Sequence, residues 1–220
     1  MSGEVSIGKR CDSMGYNEMS GINRDNRFEV RLSGSGGQGL ILAGIILAEA
    51  AGIYDGKYVT QTQNYGPEAR GGVSRSDVIM SSEEIDFPEA IKLDMLVAMN
   101  QKSCDAYFPD LKPDGILLVD STFVSEVPTE RAVAIPFSRV AREKTGKDFV
   151  ANIIFLGALT EFCPVVSAKA MESAVLARVP KGTEKLNCDA LQAGIDAARR
   201  FKEEAAAKKI PVKELSAEED

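Results

Sequence analysis

Histidine is absent from the 220 residues. With it go the side chain that most often serves as general base near neutral pH, the commonest protein metal ligand, and every Ser-His or Cys-His nucleophile pair. If the chain takes part in catalysis, another molecule supplies the reactive group. Cysteine is nearly as scarce. Cys11, Cys104, Cys163 and Cys188 stand far apart, with no Cys-x-x-Cys pair to begin a zinc or iron–sulfur site, so they read as buried or incidental thiols. Aromatic residues make up only 6% and the formal net charge is −7. A nucleic-acid binder would show a basic face and stacking aromatics, so the expected partners are small molecules or other proteins, with no nucleic acid. No run reaches the ~18 uninterrupted apolar residues of a membrane span, and residues 1–27 lack the apolar core of a signal peptide. A cytoplasmic chain without membrane contact is expected.

What the sequence does contain is alternation. Short apolar runs, "FEVRLS" (28–33), "KYVTQTQ" (57–63), "LDMLVAMN" (93–100), "GILLVDS" (115–121) and "RAVAIPF" (131–137), read as strands. Longer amphipathic stretches between and after them predict helices over 38–51, 102–111, 138–145, 151–162, 167–178 and 189–208. Ser138 and Ser167 suit N-caps, Asn187 or Asp189 suits the start of the last helix, and Gly146 suits a C-cap. Parallel neighbours need crossovers, and crossovers are usually helical, so the fold class is α/β, a three-layer sandwich around a mostly parallel sheet. "VSRSDVIMS" (73–81) follows a loop instead of a helix and is expected to join the sheet antiparallel. Residues 1–27, polar and without period, read as a flexible arm, 28–210 as one domain and 211–220 as an acidic tail.

Two glycine-rich stretches stand out. In "LSGSGGQGLILAG" (32–44), Gly34, Gly36 and Gly39 satisfy G-x-G-x-x-G directly after a strand and before a helix, with Gly37 and Gln38 between them. Glycines permit the tight turn and close approach, while N–H groups at the helix start favour an anion. The acidic residue that would hold a ribose is missing: the second strand ends in Gln61, Gln63 and Asn64, which argues against NAD and against an independent dehydrogenase. The glycines could also serve only to pack helix on strand. The second stretch, "NYGPEARGG" (64–72), combines Pro67 with Gly71 and Gly72 and displays Tyr65, Glu68 and Arg70. In a doubly wound sheet it leaves the same edge as the first turn. Arg70 there is either a fork for an anion or the partner of Glu68 in a weak surface pair.

"GSGGQGLILAGIILAEAA" followed by "QTQNYGPEARGGVSRSDV", with "NIIFLGALTEF" and "AVLARVPKGTEKLN" later, resembles the gamma subunit of the 2-oxoacid:ferredoxin oxidoreductases over about residues 28–200. Within that family the likeness is greatest to 2-oxoglutarate enzymes, with pyruvate, branched-chain and indolepyruvate versions as neighbours. The resemblance implies a Rossmann-like domain of the pyruvate-ferredoxin oxidoreductase domain III type. It also implies membership of a complex that converts 2-oxoacid, CoA and oxidised ferredoxin to acyl-CoA, carbon dioxide and reduced ferredoxin. The implied partners are alpha and beta subunits, a ferredoxin-like subunit and external ferredoxin. Thiamine diphosphate, magnesium and the iron–sulfur clusters are implied for those partners and not for this chain. The implied rim, Gly34, Gly36, Gly37, Gln38 and Gly39 with Tyr65, Glu68, Arg70, Gly71 and Gly72, would contact CoA or a neighbouring subunit. A free-standing nucleotide- or CoA-binding module is the alternative from a different class.

Overall fold

The computed structural model describes residues 5–7, 27–65 and 73–207. Its elements run β1 (Val5–Ile7), β2 (Arg27–Ser35), α1 (Leu40–Glu49), β3 (Tyr58–Tyr65), β4 (Val73–Ser81), β5 (Leu93–Ala98), α2 (Gln101–Tyr107), β6 (Leu111–Asp120), β7 (Val133–Ile135), α3 (Phe137–Thr145), α4 (Ala151–Thr160), α5 (Ala168–Arg178) and α6 (Glu184–Ala207). Val5–Ile7 lies in the stretch read as an arm and pairs antiparallel with β3 at the sheet's edge. The sheet order is β1-β3-β4-β2-β5-β6-β7. Strands β2, β5, β6 and β7 pair in parallel, while β4 enters antiparallel between β2 and β3, as its loop connection led one to expect.

Alternation along β2 assigns the two faces. Phe28, Val30 and Leu32 join the main core with residues of α1, α3, α4, α5 and α6. The opposite face carries a smaller cluster of Leu93, Leu96, Leu117 and Val119 against Cys104 and Tyr107 of α2. From β2 the chain moves one way through α1 and the other way through β5 and α2, so right-handed crossovers put the two helices on opposite faces. The sandwich therefore has three layers, but one helical layer is far thicker.

Two glycines set the thickness of that layer. A Cβ on Gly157 of α4 would lie 2.1 Å from the Leu191 carbonyl oxygen, and one on Gly194 of α6 would lie 1.9 Å from that of Ile154. The two helices touch backbone to backbone there. Several termini differ from the sequence reading. Ser138 does not cap α3, because the helix already begins at Phe137 and the Pro136 carbonyl accepts the Val140 N–H. The last helix begins at Glu184, ahead of Asn187 and Asp189, since the Thr183 carbonyl accepts the Asn187 N–H. Ser167 and Gly146 do cap, the latter at φ 68°. Helix α2 stops at Tyr107 and gives way to a 3-10 turn over Phe108–Asp110, where Pro109 has no N–H for an α-helical ladder. No described helix is long and apolar enough to cross a membrane.

Candidate functional site

The reversal of winding around β2 opens a crevice at the carboxyl ends of the parallel strands, the position where open α/β sheets receive ligands. The glycine turn occupies that edge. It is held by its own side chains: the Ser35 N–H donates to Gln38 Oε1 at 2.6 Å, and Asn100 Nδ2 donates to Ser35 Oγ at 2.7 Å. Asn100 also caps α2 by accepting from the Ser103 N–H at 2.8 Å. From α4, Asn152 Nδ2 reaches the Gly39 carbonyl at 3.4 Å.

The four glycines meet three different circumstances. Gly34 has no room, since a Cβ would meet Gln38 Oε1 at 2.3 Å and Met99 Cβ at 2.9 Å. Gly37 and Gly39 sit at φ 92° and 71°, where a side chain is strained. Gly36 is exposed, has no positive φ, and a Cβ there would meet nothing within 4 Å. Its smallness serves nothing among the described residues. Gly39 precedes the first turn of α1, whose N–H groups have no carbonyl one turn back.

Beside the turn lies a cleft of ≈ 340 Å³, within the usual range for small-ligand sites. Gly37, Gln38 and the fully buried Met99 form one side; Phe123, Ser138, Arg142, Asp148 and Phe149 form the other. Phe123 is 50% exposed and Phe149 65%, so two aromatic rings of the lining stand largely uncovered. Arg142 donates to Asp148 through Nε and Nη2, both at 3.0 Å, and that hydrogen bonding holds the carboxyl below the usual carboxylate range. Beneath them, fully buried Asp120 at the end of β6 accepts from the Ser138 hydroxyl at 2.6 Å, the Ser138 N–H at 3.1 Å and the Thr122 N–H at 3.0 Å. Those donors fix the start of α3, and with it Arg142, relative to the sheet.

Of the residues expected at the rim, Gly37 and Gln38 line the cleft, and Gly34, Gly36 and Gly39 complete the adjoining turn. Tyr65 ends β3 and pairs with Ser74, while Gly34 pairs with that same Ser74 and Ser35 with Val73. The residues on either side of 66–72 thus adjoin the first turn in the sheet. Glu68, Arg70, Gly71 and Gly72 lie outside the described residues. Asn100, Asp120, Arg142, Asn152 and Phe149 were not singled out in the sequence. A polar residue closing an apolar strand was a usable signal for Asn100 and Asp120 alone.

The arrangement can bind but offers little chemistry. Burial pushes the Cys104 thiol up to about 11 and the Cys163 thiol up to about 12, leaving almost no thiolate near neutral pH. Among the described residues no group of three histidine, cysteine, aspartate or glutamate side chains is placed to hold a metal ion.

Known proteins resemble the chain along most of its length. The pyruvate ferredoxin/flavodoxin oxidoreductase family matches residues 29–197. The 2-oxoglutarate synthase subunit KorC of Methanocaldococcus jannaschii is 50% identical over 179 residues, covering 80% of this chain and 96% of that protein. KorC of Methanothermobacter marburgensis is 49% identical over 176 residues, covering 76% and 95%. Among solved structures, the keto/oxoacid ferredoxin oxidoreductase gamma subunit from Geobacter sulfurreducens PCA is 47% identical, with a TM-score of 0.74 over 80% of this chain and 98% of that one.

Proposed function

Because the chain belongs to the pyruvate ferredoxin/flavodoxin oxidoreductase family, we propose that it is the gamma subunit of a CoA-dependent 2-oxoglutarate:ferredoxin oxidoreductase. Near-full-length similarity to two 2-oxoglutarate synthase subunits supports both the subunit and the substrate. The complex then decarboxylates 2-oxoglutarate oxidatively, forms succinyl-CoA and passes the electrons to ferredoxin.

The observation that carries this chain's share is a ligand-sized cleft at the strand ends whose lining joins the glycine turn to two aromatic rings and the Arg142–Asp148 pair. The described residues do not fit thiamine diphosphate with its magnesium, or an iron–sulfur cluster, for want of a ligand set. Those groups are assigned to partner subunits, and no step of the reaction is assigned to the described side chains. Its work is to bind, orient and exclude water. The turn at Gly36 to Gly39 accepts the close approach of an anionic group, Phe123 and Phe149 offer faces to an apolar or planar one, and Arg142 supplies a cation at the rim. CoA, with phosphates at one end and an adenine ring beside them, matches that set. Arg70 and Glu68, which lie outside the described residues, are assigned to the same rim from the sequence alone, Arg70 as the anion fork.

The test is Phe149→Ala in the assembled complex, assayed over a range of CoA concentrations. The ring is mostly exposed, so the fold and assembly stay intact. A CoA KM raised about fivefold or more with little change in kcat is expected, the pattern of lost ground-state binding. Wild-type kinetics would remove the cleft from CoA binding.

A further inference from the structure

Segment 82–92 joins β4 to β5 at the edge of the sheet opposite the glycine turn, where Ser81 pairs with Arg27 and Tyr58 at the starts of β2 and β3. It forms neither helix nor strand, yet its backbone is fixed by side chains from alternate positions of β2. Arg27 Nη1 and Nη2 donate to the Phe87 and Glu89 carbonyls, both at 2.6 Å. Glu29 Oε2 accepts from the N–H groups of Ile91 at 2.7 Å and Lys92 at 3.0 Å. Arg31 Nη2 reaches the Ala90 carbonyl at 3.4 Å. Arg27 and Glu29 are themselves paired at 2.7 Å, and Arg31 is locked by Asp77 through Nε at 2.7 Å and Nη2 at 2.9 Å.

A loop pinned this firmly could turn its apolar side chains inward. Instead Phe87 is 48% exposed and Ile91 58% exposed. Around them stand exposed Glu84, Asp86 and Glu89, for which no ion pair occurs among the described residues. The combination is a preorganised backbone, an aromatic and an aliphatic anchor, and a rim in which three carboxylates outnumber the one exposed cation, Lys92.

We propose that segment 82–92 is a docking strip for a protein partner whose surface presents an apolar socket rimmed with lysine or arginine. The charge decides the occupant. A second copy meeting the strip through the same residues would set Glu84, Asp86 and Glu89 against themselves, and nucleic acid or an acidic lipid surface would be repelled. A basic-rimmed socket gains from both the anchors and the carboxylates, and the fixed backbone reduces the ordering that association demands. The proposal rests on the reading of the chain as a subunit of a larger complex and adds which face that complex covers. Because the strip lies at the far edge, docking there leaves the cleft free to face CoA.

Two variants of the full chain test it: Phe87→Ser with Ile91→Ser, and Glu84→Lys with Asp86→Lys and Glu89→Lys. Each is purified and titrated into the complex lacking this subunit, at low and high salt, with thermal melting as the check on folding. The wild-type chain binds, both variants melt as wild type, each binds at least tenfold more weakly, and the charge-reversed variant loses the salt dependence. Variants that bind with wild-type affinity and salt dependence overturn the strip while leaving the subunit reading intact. A wild-type chain that joins no complex removes the subunit reading and the strip with it. Self-association by sedimentation that disappears in Phe87→Ser also overturns the proposal, by assigning the strip to a second copy.

Discussion

Gly36 and Gly37 stand side by side in the turn after β2, and they separate what the chain needs from what a ligand or partner needs. Gly37 at φ 92° occupies a region that costs an ordinary residue about 1–2 kcal/mol, so Gly37→Ala lowers stability by that amount even in the isolated chain. Gly36→Ala meets no atom among the described residues and no strain, so it shifts stability by no more than about 0.5 kcal/mol. In the assembled complex, the added methyl obstructs whatever approaches the backbone, and turnover falls. Thermal melting of both variants, with activity of the Gly36→Ala complex, checks this; full activity there would leave the turn a purely structural element. The sequence pattern makes Gly36 a motif position and Gly37 a spacer, because spacing cannot register a dihedral angle. Nor could it register that Gln38 folds back to accept from the Ser35 N–H and so fills the space over Gly34.

Helices α4 and α6 form the most extensive helix pair of the thick layer, and their closeness depends on Gly157 and Gly194. Gly194→Ala gains up to about 1 kcal/mol of helix propensity. Against that stands a methyl placed 1.9 Å from the Ile154 oxygen and 2.8 Å from its carbon. Backbone cannot rotate away as a side chain can, so the helices separate along their length and the buried contacts of Phe155, Leu159 and Leu191 loosen. A net loss of about 2 kcal/mol or more is expected, seen as a Tm lower by roughly 5 °C or more for a domain of this size. An unchanged Tm would show that the helices slide without loss. Both glycines were visible inside runs that read as helical, but nothing in either run says that they face each other.

At the scale of the molecule, the proposed function makes the chain a binding and covering element whose reactive groups lie in its partners. Purified alone it is colourless, holds no stoichiometric iron and leaves 2-oxoglutarate, CoA and ferredoxin unchanged; in the complex it is required for activity. Elemental analysis and assay of the single chain check this, and stoichiometric iron in it would contradict the division of labour. The α/β class, the antiparallel entry of residues 73–81 and the turn after β2 follow from the sequence itself. Period-two and helical patterns, and a glycine cluster between them, are local properties carried by neighbouring residues. Family membership was likewise legible, because two glycine motifs in order at one spacing are a property of the string. What only the tertiary structure decided is the cleft and its opposite face. Met99, Phe123, Arg142 and Phe149 come from four separate places in the chain and meet because right-handed crossovers bring the strand ends to one edge. Arg27 stands at the end of the stretch read as an arm, and Glu29 and Arg31 in the run read as a strand, with no role for any of them until the fold lays segment 82–92 across them. Hydrogen bonds between residues some 60 positions apart, such as Arg27 with Phe87, leave no periodicity to detect.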